Sequence, residues 1–257
     1  PVEYQLMFRG FREHGLVWAV FCGVRRAMVL NAEHDGPGGE RASEAGALLA
    51  RAREIKAAAL GADGVQYGPE VTTGLEELAR LAGRLRRLDI ADALRDRDEA
   101  LAFWINVYNA LVIHGALAGC VRRSVREVGG FFSRTAYEVG GLRFSLDAIE
   151  HGILRANRGH PRRVVLPQLW PWDARHRFVL QPIDVRIHFA LNCGAVSCPP
   201  IKSYSSGAMG AELDLAMRSF LNGGGATVDT ATGKVVLSRI FLWYSRDFGL
   251  GKGRQMR

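Results

Sequence analysis

Between His188 and Pro200 the chain reads His-Phe-Ala-Leu-Asn-Cys-Gly-Ala-Val-Ser-Cys-Pro-Pro, which puts an imidazole, a carboxamide and two thiols within eleven residues. No other segment concentrates as much reactive chemistry. A cysteine nucleophile works as its thiolate, and a thiolate at neutral pH needs an imidazolium or another positive charge beside it. Cys193 is the preferred nucleophile because Gly194 leaves the adjacent backbone open to a substrate carbonyl. His188 is the preferred base. His151 and His114 are further imidazoles, and Asn106, Asn109 or Glu150 could orient one of them. Cys198, ahead of two prolines, suits a cap or a structural place at the substrate-binding margin, with His114, Arg155 and Tyr204.

Two other chemistries fit the same residues. His188, Cys193 and Cys198, with His151 or His114 as a fourth ligand, could hold zinc, although the spacing is looser than in the usual zinc motifs. The thiols could also be inert, since unpaired cysteine is among the most buried residue types, or they could close a short disulfide loop that stabilises little. The reading adopted is a thiol-dependent hydrolase or acyl-transfer enzyme acting on an amide, thioester or ester, with no metal and no cofactor. The alternative is a non-catalytic interaction module whose cysteines and histidines are structural or bind zinc.

Several elements must position these groups. Residues 100–118 are apolar almost all round, the pattern of a buried helix, and Asp96 with Glu99 fits a capping box at its start. Asn106, Asn109 and His114 fall on one stripe of it. A buried, unpaired amide costs on the order of 1–3 kcal/mol, so these amides either tie down loop backbone or orient the site. Residues 135–139 and 142–144 alternate around Gly140-Gly141 as a hairpin. Ser145 can cap a helix over 146–157, on which His151 faces Arg155 at i,i+4, an arrangement common on surfaces. Residues 175–180 read as a strand. Asp184 and Gly194 bracket a helix that would put His188 and Asn192 on one face. Helices are also predicted over 43–60, over 72–88 with Thr72 or Thr73 as cap, and over 212–222, with a second hairpin at 227–229 and 234–237. Helices interspersed with small antiparallel hairpins predict an α+β fold, mostly helical and single-domain, around the buried helix that bears the Asn and His side chains.

The chain has 257 residues and a formal charge of +8, and only four of its 34 basic residues are lysines. Arginine favours planar contacts to carboxylate or phosphate, but acidic residues are interspersed throughout, which argues against a nucleic-acid face. The apolar run 16–24 is too short to span a bilayer and its charges follow it, unlike a signal peptide. Four scattered cysteines do not make a secreted disulfide scaffold. A cytoplasmic protein without a transmembrane segment is expected, with a protein or peptide as possible partner and its oligomeric state open. Residues 32–41 are rich in turn formers, so residues 1–62 are expected to be an extension of linker plus helix, the tail of an upstream domain. Residues 63–257 are expected to form the main domain, cut short at the C-terminus.

Three stretches together resemble the domain-of-unknown-function family 547: Phe103-Trp-Ile-Asn-Val-Tyr-Asn-Ala-Leu-Val-Ile-His114, Ser145-Leu-Asp-Ala-Ile-Glu-His-Gly-Ile-Leu-Arg155, and Arg186-Ile-His-Phe-Ala-Leu-Asn-Cys-Gly-Ala-Val-Ser-Cys-Pro-Pro200. Tyr204-Ser205 and Trp243-Tyr-Ser-Arg-Asp-Phe-Gly249 fit as well. The resemblance covers roughly residues 64–249. It implies a domain that some members carry after DEP, glutaredoxin-like or leucine-zipper regions, and it implies no reaction.

Overall fold

The computed structural model describes residues 27–34, 43–61, 64–121, 124–161, 166–193 and 201–249. Its axis is the helix Arg97–Ala118, capped by Asp96, whose carboxylate accepts from the amides of Asp98 and Glu99. This helix is buried from Ala100 to Gly115, as its all-round apolar sequence requires. Among the described residues it alone is long and apolar enough to cross a bilayer, and 94% of its most apolar window lies inside the protein. Helices Glu44–Ala59 and Pro69–Gly83 pack beside it, and Leu48, Leu49, Ile55, Leu78 and Leu111 share one core. The helix assigned by sequence to an N-terminal extension is thus built into the same core as the rest.

A three-stranded sheet covers one side. Strands Thr135–Val139 and Leu142–Ser145 form the expected hairpin, with Ala136 opposite Ser145 and Val139 opposite Leu142. Gly140 and Gly141 both take positive φ, which only glycine adopts without strain in such a tight turn. Met28–Val29 adds a short parallel edge. Helix Met209–Phe220 and the hairpin Ala226–Asp229 with Lys234–Leu237 complete the α+β architecture. The apolar run 16–24, most of the linker 32–41, and Cys22 and Cys198 lie outside the described residues.

Four expectations are corrected. The helix predicted to open at Thr72 or Thr73 begins at Pro69 with Gly68 as its cap, because proline is pre-organised for the first helical position. Residues 175–180 are not a strand: Ala174–Phe178 is a 3-10 helix. Residues 185–193 are not an α-helix: the 3-10 helix Val185–Phe189 ends well before Cys193. Both 3-10 turns open on an Asp-x-Arg sequence, with the aspartate as cap. Asp173 accepts from the Arg175 amide and Nε, and Asp184 does the same for Arg186. These local bonds fix the turn before a strand or a longer helix can form. Finally, the helix after Ser145 widens into a π-helix over Ala148–Leu154, although Ser145 does cap it through the Ala148 amide.

Candidate active site

The π-helix sets the site. Its wider ladder is visible in the Arg155 amide donating to the Glu150 carbonyl, five residues back, a geometry that is rare and concentrates at functional sites. It turns Glu150, His151 and Arg155 inward, and all three are buried. The i,i+4 pairing with Arg155 suggests a surface position for His151; instead it is 3% exposed. Arg155 Nη1 donates to His151 Nδ1 at 2.9 Å. Guanidinium has no acceptor, so His151 is the neutral tautomer protonated on Nε2, and that nitrogen faces Asp147 at 3.8 Å. Burial, with further contributions from Arg155, His160 and His188, outweighs Glu150 and holds the His151 pKa down at about 4.

Arg155 joins this helix to the far end of the chain. Its Nε donates to Asp247 Oδ2 at 2.6 Å, and His188 Nε2 lies 2.9 Å from the same oxygen. Arg158 reaches the other oxygen at 3.2 Å. The Asp247 side chain has no exposed surface. Burial pushes its carboxyl up, but the bonds to His188 and Arg155 and the arginine charge overcome this and hold it far below the usual carboxylate range. Ionised Asp247 can only accept, so His188 presents Nε2–H to it and keeps Nδ1 as its basic nitrogen. The His188 ring stacks on Tyr244 with centroids 3.9 Å apart.

Glu150 sits under two hydroxyls. Tyr108 on the central helix donates to Oε2 at 2.8 Å and Tyr244 to Oε1 at 2.5 Å. Burial pushes the Glu150 carboxyl up; His151, the two hydroxyls and His188 reverse this and leave it below its ordinary value. Burial and then the Glu150 charge push both tyrosines up, so they stay protonated donors. Cys193 is a half-buried free thiol; as a thiolate it would push both tyrosines up further.

The chain on either side of residues 194–200 is fixed by the two carboxamides of the central helix. Asn109 Nδ2 donates to the Ala190 carbonyl and its Oδ1 accepts from the Asn192 amide, each at 3.0 Å. Asn106 grips the Tyr204 backbone in the same two-bond manner, at 2.8 and 3.0 Å. Both amides therefore hold loops and do not orient an imidazole.

A family model described as protein of unknown function, DUF547, matches residues 92–221. The chain belongs to this family. No curated protein and no solved structure matches it. The matched stretch of the DUF547 domain contains Tyr108, Glu150, His151, Arg155, His188 and Cys193, while Tyr244 and Asp247 lie beyond it.

Of the residues nominated by sequence, the structure of the DUF547 domain brings together Glu150, His151, Arg155 and His188, and Cys193 follows the Asn192 backbone that Asn109 holds. Two roles are corrected. The carboxylate bonded to His188 is Asp247, not Glu150. His114 is remote from the cluster in its bonding: its Nδ1 pairs with the Tyr137 hydroxyl at 2.8 Å, and burial lowers its pKa to about 3. Tyr204 contributes its backbone, and Cys198 lies outside the described residues. Among the described residues no group of three His, Cys, Asp or Glu side chains is placed to hold a metal ion. Sequence reasoning missed Asp247, Tyr244 and Tyr108. The first two stand in the Trp243–Gly249 stretch that carries the resemblance, and Tyr108 lies between the two asparagines on the central helix.

Proposed function

We propose that this DUF547 domain is a thiol-dependent acyl-transfer or hydrolytic enzyme, with Cys193 as nucleophile, His188 as general base and Asp247 as the residue that orients it. The observation that supports this reading best is the buried His188–Asp247 pair, bonded at 2.9 Å, with His188 five residues upstream of Cys193. A carboxylate on one ring nitrogen of histidine fixes the tautomer and stabilises the imidazolium formed when the other nitrogen takes a proton, which is the logic of a nucleophile–base–orienter set. Here Cys193 would pass its proton to His188 Nδ1 and its sulfur would attack the acyl carbon. The leaving amine, thiol or alcohol would take that proton back from His188. Water, or a second acceptor, would then release the acyl group. Asn109 is a positioning residue in this scheme, because it holds the backbone between His188 and Cys193. Tyr108 and Tyr244 each donate to Glu150 and keep it ionised.

The test is incubation with an activated ester, p-nitrophenyl acetate, followed by intact and peptide mass spectrometry. An acetyl adduct on Cys193, a burst of nitrophenol, and loss of both in Cys193→Ala with an unchanged melting temperature are expected. A Cys193→Ala protein as active as the parent would refute the assignment. A second reading, the non-catalytic interaction module, draws on the exposed pair Trp170 and Trp172, stacked with centroids 5.3 Å apart. It predicts no Cys193 adduct under any of these conditions.

A further inference from the structure

A cavity of about 460 Å³ borders the His188 cluster, and Asp247 and Tyr244 both line it. Three arginines, Arg155, Arg158 and Arg246, line it against the single carboxylate of Asp247, a surplus of two positive charges. Arg155 spends Nε and Nη1 on Asp247, His151 and the Gly159 carbonyl. Arg158 uses Nη1 on Asp247 and the Arg246 carbonyl and remains 42% exposed. Arg246 has no ion-pair partner among the described residues. The other wall is apolar: Trp243 and Leu166 line the cavity and keep 39% and 56% of their surface open to solvent. Asn157, also in the lining, makes two side-chain bonds to the Leu169 backbone, at 2.7 and 2.8 Å, close in sequence to Leu166.

We propose that this cavity binds an organic carboxylate, its anionic group on Arg246 and Arg158 and its apolar body on Trp243 and Leu166. This deepens the acyl-transfer reading, on which it rests for its role, by naming the class of substrate: an acyl compound that carries a free carboxylate. Guanidinium groups pair with carboxylates through two parallel N–H donors. A volume of this size suits a small molecule, with few polar anchors and an apolar remainder. Asp247 and Tyr244 form the wall common to the cavity and the His188 cluster, so a carboxylate held there lies one side chain away from the base.

The experiment is calorimetric titration of the full chain with 4-phenylbutyrate and with its neutral amide, 4-phenylbutyramide. One binding site is expected, at least about tenfold tighter for the carboxylate, since a charge-assisted bond is about twice as strong as a neutral one. Arg246→Gln, at an exposed position, should weaken the carboxylate about tenfold, leave the amide unchanged and preserve the melting temperature. Equal binding of acid and amide, or an Arg246→Gln protein that binds the acid as the parent does, would overturn the proposal. The same titration on Cys193→Ala separates the two readings. Retained binding together with retained esterase activity removes the thiol assignment and supports the cavity. Absent binding with activity lost removes the cavity and leaves the thiol assignment standing.

Discussion

Asp247 accepts from two arginines and an imidazole while exposing none of its side chain. A buried charge of this kind is tolerated only while its partners are in place; removing one partner typically costs about 3–5 kcal/mol, because the remaining charge stays buried and uncompensated. Asp247→Asn keeps the shape and removes the charge, leaving the buried Arg155 guanidinium without a counter-ion. It is expected to lower unfolding free energy by about 3 kcal/mol or more, read from urea denaturation. A change within about 0.5 kcal/mol, the range of an ordinary surface substitution, would mean that Asp247 does not carry the network. A hydrophobic replacement of such a network is often neutral or stabilising, so stability alone gives little reason to build one.

Two elements do most to position the cluster: the π-helix Ala148–Leu154 and the central helix, steadied by Glu44–Ala59. Leu48, Leu49 and Ile55 on that last helix are almost fully buried, and burying each large aliphatic side chain stabilises by about 1.5–3 kcal/mol. Their sum is comparable to the whole stability of a typical domain, about 5–15 kcal/mol. A chain beginning at residue 63 should therefore lack a cooperative thermal transition by circular dichroism; a sharp transition would show that residues 1–62 are dispensable. Much of this framework was legible in the sequence. The capped apolar helix, the glycine-turned hairpin and the helix read at 212–222 and found at Met209–Phe220 all follow from period and turn chemistry. The 3-10 turns were not legible, because an Asp-x-Arg contact competes with strand or helix over only a few residues. The π-helix was hidden too: Leu146 to Arg155 has ordinary helical spacing, and the added width comes from drawing Glu150, His151 and Arg155 together into the core. Tertiary pairing hid Asp247, which meets His188 across 59 residues.

At the scale of the molecule, buried neutral histidines set the acid response. His151, surrounded by Arg155, Glu150, Asp147, His160 and His188, titrates at about 4, and His114 at about 3, against an ordinary value of about 6.5. Their folded-state values are depressed. Between about pH 6.5 and those values the unfolded chain binds more protons than the folded one, so stability falls as pH falls. A tenfold difference in proton affinity between the two states is worth about 1.4 kcal/mol, so His151 alone accounts for about 3 kcal/mol by pH 4. Asp247 acts in the same sense at lower pH: its depressed carboxyl contributes stability that is present above the unfolded value of about 3.9 and lost below it. Urea midpoints should be nearly constant from pH 8 to 7 and fall steadily from 6.5 to 4. In His151→Gln the fall should be shallower. A midpoint that stays level down to pH 4.5 would show that the histidines titrate freely.

The central claim, that Cys193 is an activated nucleophile served by His188, is tested most directly by the pH dependence of its alkylation. Under reducing conditions, iodoacetamide labelling of Cys193 would be followed by peptide mass spectrometry in the parent and in His188→Gln. An inflection at least about 1 pH unit below the ordinary thiol value of about 8.5 is expected, moving upward when His188 is replaced. An inflection at or above about 8.5 that the substitution leaves in place would contradict it.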